Sequence, residues 1–202
     1  MVFETHIAQK EAFIFGLDDV IYPEKDYLLQ VYYLFSEFIE YSEQLNAKEI
    51  LGFMQAEYSH HGNVNLFEKT ANKFKINEKY KANFMLLHEN ARLPLKLLLF
   101  QNVLSFLQEI VVERKSIYLL VSGFPLMQLN KIKQMEWHGL EQYLKLYFSQ
   151  ELEPVLSQKS LDFIIEENNL NKEDSLYVGF GNSDNDIAKR AGLEFLDVIK
   201  LL

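Results

Sequence analysis

AFIFGLDDVIYPEKD, residues 12 to 26, is the stretch on which the reading of the fold turns. Ala12-Phe13-Ile14-Phe15 is a short apolar run that ends at Gly16. It reads as a buried strand, because a strand covered on both faces has no polar alternation. Asp18-Asp19 reads as a turn, where acidic residues are common, and Val20-Ile21-Tyr22 and Pro23 follow. Asp26 is a fitting N-cap for a helix running to about Glu43. Leu28, Val31, Tyr32, Phe35, Phe38 and Ile39 then recur at helical spacing. Further helices are predicted over 47–58, 65–74 and 78–90, with Gly62 and Asn63 breaking the second from the third. One strand is therefore followed by a wholly helical insert of roughly 70 residues, the size of a small domain.

From Pro94 the pattern changes again. Strands are predicted over Ser116–Val121, Leu144–Phe148, Ser175–Gly179 and Glu194–Val198. Helices are predicted over Val103–Val112, Leu126–Met135, Leu161–Asn168 and Asp184–Ala191, the last closed by Gly192. Pro125 falls near the first turn of its helix, where its missing N–H costs nothing. Strands alternating with helices mean βαβ units and a parallel sheet. The predicted fold is α/β: a Rossmann-like parallel sheet flanked by helices, with an all-helical cap inserted after the first strand. Residues 1–22 and 94–202 would form the core and 23–93 the cap. In such sheets a ligand lies beyond the carboxyl ends of the strands. The ends to inspect are Gly16–Val20, Ser122–Phe124, Phe148–Val155 and Gly179–Asp184.

Composition narrows the function classes. The chain has 202 residues, 49% of them hydrophobic, enough to bury a core without a metal or disulfide staple. It has no cysteine, which excludes a disulfide scaffold, a thiolate zinc cluster, an iron–sulfur centre and a cysteine nucleophile. That agrees with a reducing, cytoplasmic setting. Twenty basic residues stand against 29 acids, a net charge of -9 that argues against a broad nucleic-acid footprint. The opening MVFETHIAQKEAF lacks the apolar core of a signal peptide. Apolar runs such as Leu97–Phe100 are too short to cross a bilayer. A soluble protein with no nucleic-acid or membrane partner is expected, its oligomeric state left open.

The four strand ends resemble the four motifs of the haloacid dehalogenase superfamily of phosphatases and phosphotransferases, and the resemblance spans the chain. FGLDDVIYPEKDY is similar to the family's opening, in which the first strand ends in Asp-x-Asp-x-Thr/Val. VSGFP resembles the second motif, an apolar strand ending in Ser or Thr. SLYVG, followed by an acidic helix start and a closing Ala-Gly, resembles the fourth. The resemblance implies a Mg²⁺-assisted attack on phosphorus by the first aspartate, forming an aspartyl-phosphate. It also implies a second aspartate as general acid/base, a Ser/Thr and a lysine on the phosphoryl group, and acids of the fourth motif on the metal.

Carried over residue by residue, the pattern is broken at charged positions. The nucleophile position is Gly16, which has no side chain. The acid/base position, Asp18, is retained; Val20 and Ser122 fit theirs, with Gly123 beside Ser122 as the place for an anion. Counting back from the fourth strand puts the lysine position near Val155-Leu156, within Glu153-Pro154-Val155-Leu156. Lys159, one helical turn later, is the remaining candidate cation for a phosphate. In the fourth motif Phe180 takes the first acidic place and Asp184 the second. An alternative register puts Asn182 and Asp186 there. In either register the first acid is missing.

Two readings follow. In the first, the chain keeps the family fold, has lost phosphohydrolase activity, needs no cofactor, and acts by binding a ligand, such as a small phosphorylated molecule, or a partner. In the second, it is an active Mg²⁺-dependent phosphohydrolase of a small phosphate ester, with a non-standard site built on Asp18, Ser122, Lys159 and Asp184. Simpler readings stand beside these. Asp18-Asp19 is a turn pair, Asp184 a helix N-cap, His60-His61 a surface loop pair pointing different ways, and Trp137-His138 a packed helix end.

Overall fold

In the computed structural model, residues 3–153 and 155–202 are described; Met1, Val2 and Pro154 lie outside that set. Strand β1 (Ala12–Phe15) lies at the centre of a five-stranded sheet, between β2 (Ser116–Val121) and β4 (Ser175–Gly179). The edges are β3 (Leu144–Phe148), beside β2, and β5 (Glu194–Asp197), beside β4. Every pairing is parallel, and Ile14 sits opposite both Tyr118 and Tyr177. All four residues of β1 are buried, as the unbroken apolar run requires of a strand covered on both faces.

One face carries Phe13, Phe15, Leu119, Val121, Leu176 and Val178. It packs on α6 (Gln101–Val112), whose Phe106 ring meets Phe13 and Phe15 edge-on at 5.4 and 5.7 Å. Phe3, just before the short helix α1 (Glu4–Gln9), stacks on the same ring. The other face carries Ile14, Leu120 and Tyr177. It packs with Leu161 and Ile164 of α9 (Gln158–Glu167) and Ala188 of α10 (Gly181–Ala191). Helix α7 (Pro125–Gln134) follows β2, and α8 (Ser149–Leu152) is a single turn after β3.

Between β1 and β2 runs the helical cap: α2 (Glu24–Glu43), α3 (Ala47–His61), α4 (Leu66–Phe74) and α5 (Lys81–Asn90). A 3₁₀ turn, Glu78–Tyr80, leads into α5. The buried stripe of α2 is Leu28, Val31, Tyr32, Phe35 and Ile39, spaced as one helix face demands. Phe35 meets Phe67 of α4 and Phe84 of α5 edge-on, which ties three helices together. Each such ring stabilises the fold by about 1.5–3 kcal/mol through burial. Ile21, Tyr22 and Tyr27 join this cluster to the one on the Phe13 face of the sheet.

The boundaries differ from expectation at helix starts. Helix α2 begins at Glu24, with Asp26 inside its first turn. The capping acid is Asp19, whose carboxylate accepts the Glu24 N–H at 3.0 Å. Helix α9 begins at Gln158 because Ser157 and Ser160 form a capping box, and α10 begins at Gly181 rather than Asp184. Neither α1 nor α8 has enough length for a periodic signal.

Candidate functional site

At the carboxyl ends of β1, β2 and β4 lies a cleft of 190 Å³, lined among others by Gly16, Asp18, Ser122, Leu156, Tyr177, Phe180 and Asp184. This is where an open parallel sheet presents its ligand site. Gly16 extends the β1 ladder by donating its N–H to the Val178 carbonyl at 2.9 Å. A Cβ at this position would stand 3.0 Å from Val20 Cγ2 and 4.0 Å from the Tyr177 hydroxyl. Val20 and Tyr177 therefore fill the floor of the cleft. Burial, reinforced by nearby Asp184, pushes the Tyr177 phenol well above its ordinary pKa, so it stays neutral.

Phe180 follows β4 directly and is half-exposed. Its N–H donates to the Asp184 carboxylate at 2.9 Å. A Cβ at Gly179 would stand 2.6 Å from Asp184 Oδ2, so a glycine there is what lets the carboxylate approach the chain. Burial raises the Asp184 pKa, while the Phe180 N–H and the Tyr177 hydroxyl oppose that shift. Ser122 lines the cleft and is exposed; its carbonyl accepts from Gln128 Nε2 at 2.6 Å. Gly123, at φ +99°, is not among the lining residues. It leaves room for the Gln128 amide, which a Cβ would meet at 3.0 Å.

Asp18 faces a second, charged cluster. The Lys131 ammonium, fully buried on α7, donates to both Asp18 oxygens at 2.9 Å. Tyr22 donates its hydroxyl to Oδ1 at 2.7 Å, and Gln128 its amide to Oδ2 at 2.8 Å. A carboxylate offers about four lone-pair sites, and all are taken. Lys131 also reaches Glu24 at 3.1 Å and lies over the Tyr27 ring, 4.9 Å from its centroid. Burial first, and then the charge of Asp18, drive the Tyr22 phenol far above its usual pKa and raise that of Glu24.

Lys131 and Gln128 are the site residues that the sequence reading did not single out. They lie three apart on one face of α7 and are the residues of that helix that the fold buries. Their signal was the proximity of α7 to the Ser122-Gly123 turn.

Other expected residues fall elsewhere. Lys159, taken as a phosphate-binding cation, does not line the cleft. It is exposed and paired with Glu153 at 2.7 Å, which raises its pKa. Of Val155-Leu156, the side chain in the cleft is Leu156; Val155 is exposed, and Pro154 lies outside the described residues. Asn182 and Asp186 are also absent from the lining, so the geometry follows the register with Phe180 and Asp184. His60 and His61 end α3 at the surface, where His61 contacts Glu57 at 3.1 Å. Trp137 is buried and donates to the Ile132 carbonyl.

Mg²⁺ does not fit the residues present. Gly16 and Phe180 bring no oxygen side chain, the Asp18 oxygens are saturated, and Asp184 is held to the Phe180 N–H. Among the described residues no three His, Cys, Asp or Glu side chains stand together as a metal ion requires.

A parallel sheet with a helical cap after its first strand, and a cleft at its strand ends, defines a Rossmann-like capped α/β protein. A family model described as haloacid dehalogenase-like hydrolase matches residues 13–198. The chain belongs to that family. Its fold is similar to that of a putative beta-phosphoglucomutase from Thermotoga maritima, with a TM-score of 0.65 at 18% identity over 92% of this chain and 83% of that one. A putative HAD-hydrolase from Bacillus subtilis, bound to magnesium, aligns with a TM-score of 0.60 at 12% identity over 93% and 87% of the two chains. A hydrolase from Streptococcus pneumoniae TIGR4 aligns with a TM-score of 0.53 at 15% identity over 93% and 92%. A comparison of the sequence with curated proteins finds no match. Among the described residues no helix is long and apolar enough to cross a membrane.

Proposed function

We propose that this chain is a pseudoenzyme of its family: it keeps the fold, has lost phosphohydrolase activity, and acts by binding a ligand or partner. One observation carries the reading: neither carboxylate that lines the cleft is free to act. Asp18 has all its acceptor sites filled by Lys131, Tyr22 and Gln128. Asp184 is turned onto its own backbone at Phe180. Gly16, where the family resemblance puts the attacking group, supplies nothing. An acid/base must exchange a proton with the leaving group, and Asp18 would have to leave a buried ammonium to do so.

The placement of Phe180 and Leu156 supports the same reading. Both put apolar surface where an attack on phosphorus needs charge. The cleft remains as a cavity at the strand ends.

The test is hydrolysis of p-nitrophenyl phosphate and a panel of small phosphate esters by the intact chain, with Mg²⁺ varied and Asp18→Asn as control. Loss of a true catalytic carboxylate lowers kcat by about 10⁴-fold or more. The expected result is no turnover above the control at any metal concentration. Metal-dependent turnover that Asp18→Asn abolishes would overturn the reading and establish the alternative, a phosphohydrolase with a non-standard site.

A further inference from the structure

A larger cavity, of 340 Å³, opens inside the cap, between α2, α4, α5 and the first turn of α7. Its walls include Leu28, Leu66, Phe67, Phe84, Met85 and Met127. That volume and lining suit a small organic ligand, and the two methionines can adapt to its shape. Lys81 and Glu68 pair with each other at the rim, 2.5 Å apart.

Two polar groups inside are not satisfied by the protein. His88 is only 9% exposed, and among the described residues its ring makes no hydrogen bond. The ring rests edge-on against Phe84 at 4.7 Å, and burial holds its pKa down at about 4, so it is a neutral donor and acceptor. Glu24 gives one oxygen to Lys131 and, among the described residues, has no other side-chain partner. Charge decides what should meet them. Asp18 and Glu24 share the single ammonium of Lys131, two carboxylates against one cation, and the charge of Asp19 adds to the field at Glu24. The excess is negative, and the cavity opens onto it at Glu24.

We propose that the cap cavity binds a small organic amine, its ammonium on Glu24, its apolar body between the Phe67 and Phe84 rings and the methionines, with His88 accepting a further N–H. An anion would meet the excess negative charge. A purely apolar guest would seal Glu24 and His88 from water without partners, which is costly. The proposal deepens the reading above by giving the binding role a place and a chemistry. Turnover assays test that reading and binding assays test this one, so either can fail alone.

Calorimetric titration of the full chain with three probes sharing one body decides it: phenethylamine, 2-phenylethanol and 3-phenylpropionate. The amine should bind roughly tenfold tighter than the alcohol, the scale of one charge-assisted hydrogen bond, and the acid should not bind. Glu24→Gln should erase the preference for the amine and leave the alcohol unaffected. Because Glu24 also touches Lys131, a second variant guards against misfolding. Met85→Trp, at a half-exposed position on the wall, should abolish binding of amine and alcohol alike at unchanged Tm. Three results would each overturn the proposal: no binding by the amine, equal binding of the acid, or an amine preference that survives in folded Glu24→Gln. Unaltered binding in Met85→Trp would also overturn it.

Discussion

On the cleft side of the loop from Gly16 to Tyr22, Gly16 and Phe180 stand where the family resemblance puts acids; on the cap side charged groups remain, gathered on Lys131. Gly16, Leu156 and Phe180 line the first side, where Asp184 accepts from the Phe180 N–H. The second side holds Asp18 and Glu24 on the buried Lys131. The two sides share one loop, so local mobility does not separate them. What separates them is what each charge is attached to. A charge that serves only a bound ligand can be lost with no effect on the fold. A carboxylate that neutralises a buried ammonium cannot, because its loss leaves an uncompensated ion. The survival of Asp18 is thus a matter of stability on the cap side, whatever its history on the cleft side.

That contrast can be broken most directly at Lys131. Lys131→Met leaves Asp18 and Glu24 facing each other without their cation and should cost about 3 kcal/mol, the lower end for a broken buried pair because both acids keep some exposure. Urea unfolding of the two proteins measures it. A loss below about 1 kcal/mol would place Lys131 among charges with no structural duty, and the contrast would fail.

A comparable effect should appear as a pH dependence at His88. Its folded pKa is about 4, against about 6.5 in an unfolded chain. Between these values the unfolded chain takes up a proton that the folded one refuses, so stability falls as the pH falls through that window. The loss should reach the order of 3 kcal/mol near pH 4. Glu24 and Asp184, with raised pKa values, act in the opposite direction. The quantity to measure is therefore the difference between wild type and His88→Phe, followed by unfolding from pH 7 to pH 4. A His88→Phe variant with the same pH slope as wild type would show that the ring is not neutral in the fold.

On the cleft side the effects should be smaller. Asp184→Ala removes the acceptor for the Phe180 N–H and should cost about 1 kcal/mol, the scale of one intramolecular hydrogen bond. Phe180→Ala, at a half-exposed position, should stay within about 0.5 kcal/mol. If Phe180→Ala proved the more damaging of the two, the ring would have a packing role that its exposure does not suggest, and the contrast would sharpen around it.

The sheet was legible because its strands obey one rule. Phe13-Ile14-Phe15 and Leu176-Tyr177-Val178 are covered on both faces, and continuous apolar runs say so. The cleft was legible in part, because strand ends in a parallel sheet converge. Gly16, Ser122, Phe180 and Asp184 do meet there. Helix α7 was legible as a helix and misleading as to its faces. Apolar periodicity would turn Leu126 inward, yet Leu126 is exposed while Gln128 and Lys131 are buried. The pattern rule assumes that the interior wants apolar groups, whereas this part of the interior already held the Asp18 carboxylate. Lys159 failed for a related reason. One-turn spacing locates a residue along a helix, but nothing in it disclosed that Glu153 would hold the ammonium at the surface.

The contact between Gly179 and Asp184 constrains how this sequence can change. Gly179 has no left-handed φ, so its backbone would accept any residue. The obstacle is crowding: a Cβ would stand 2.6 Å from Asp184 Oδ2, 2.9 Å from its Cβ and 3.0 Å from the Phe195 ring. A substitution at 179 collides with Asp184 and Phe195 together, whereas a substitution at 184 gives up the hydrogen bond from the Phe180 N–H. Losing the carboxylate at 184 does not by itself free position 179, because the Asp184 Cβ at 2.9 Å and the Phe195 ring at 3.0 Å still stand against a new Cβ. The glycine at the end of β4 is thus held by neighbours on two elements, Asp184 of α10 and Phe195 of β5.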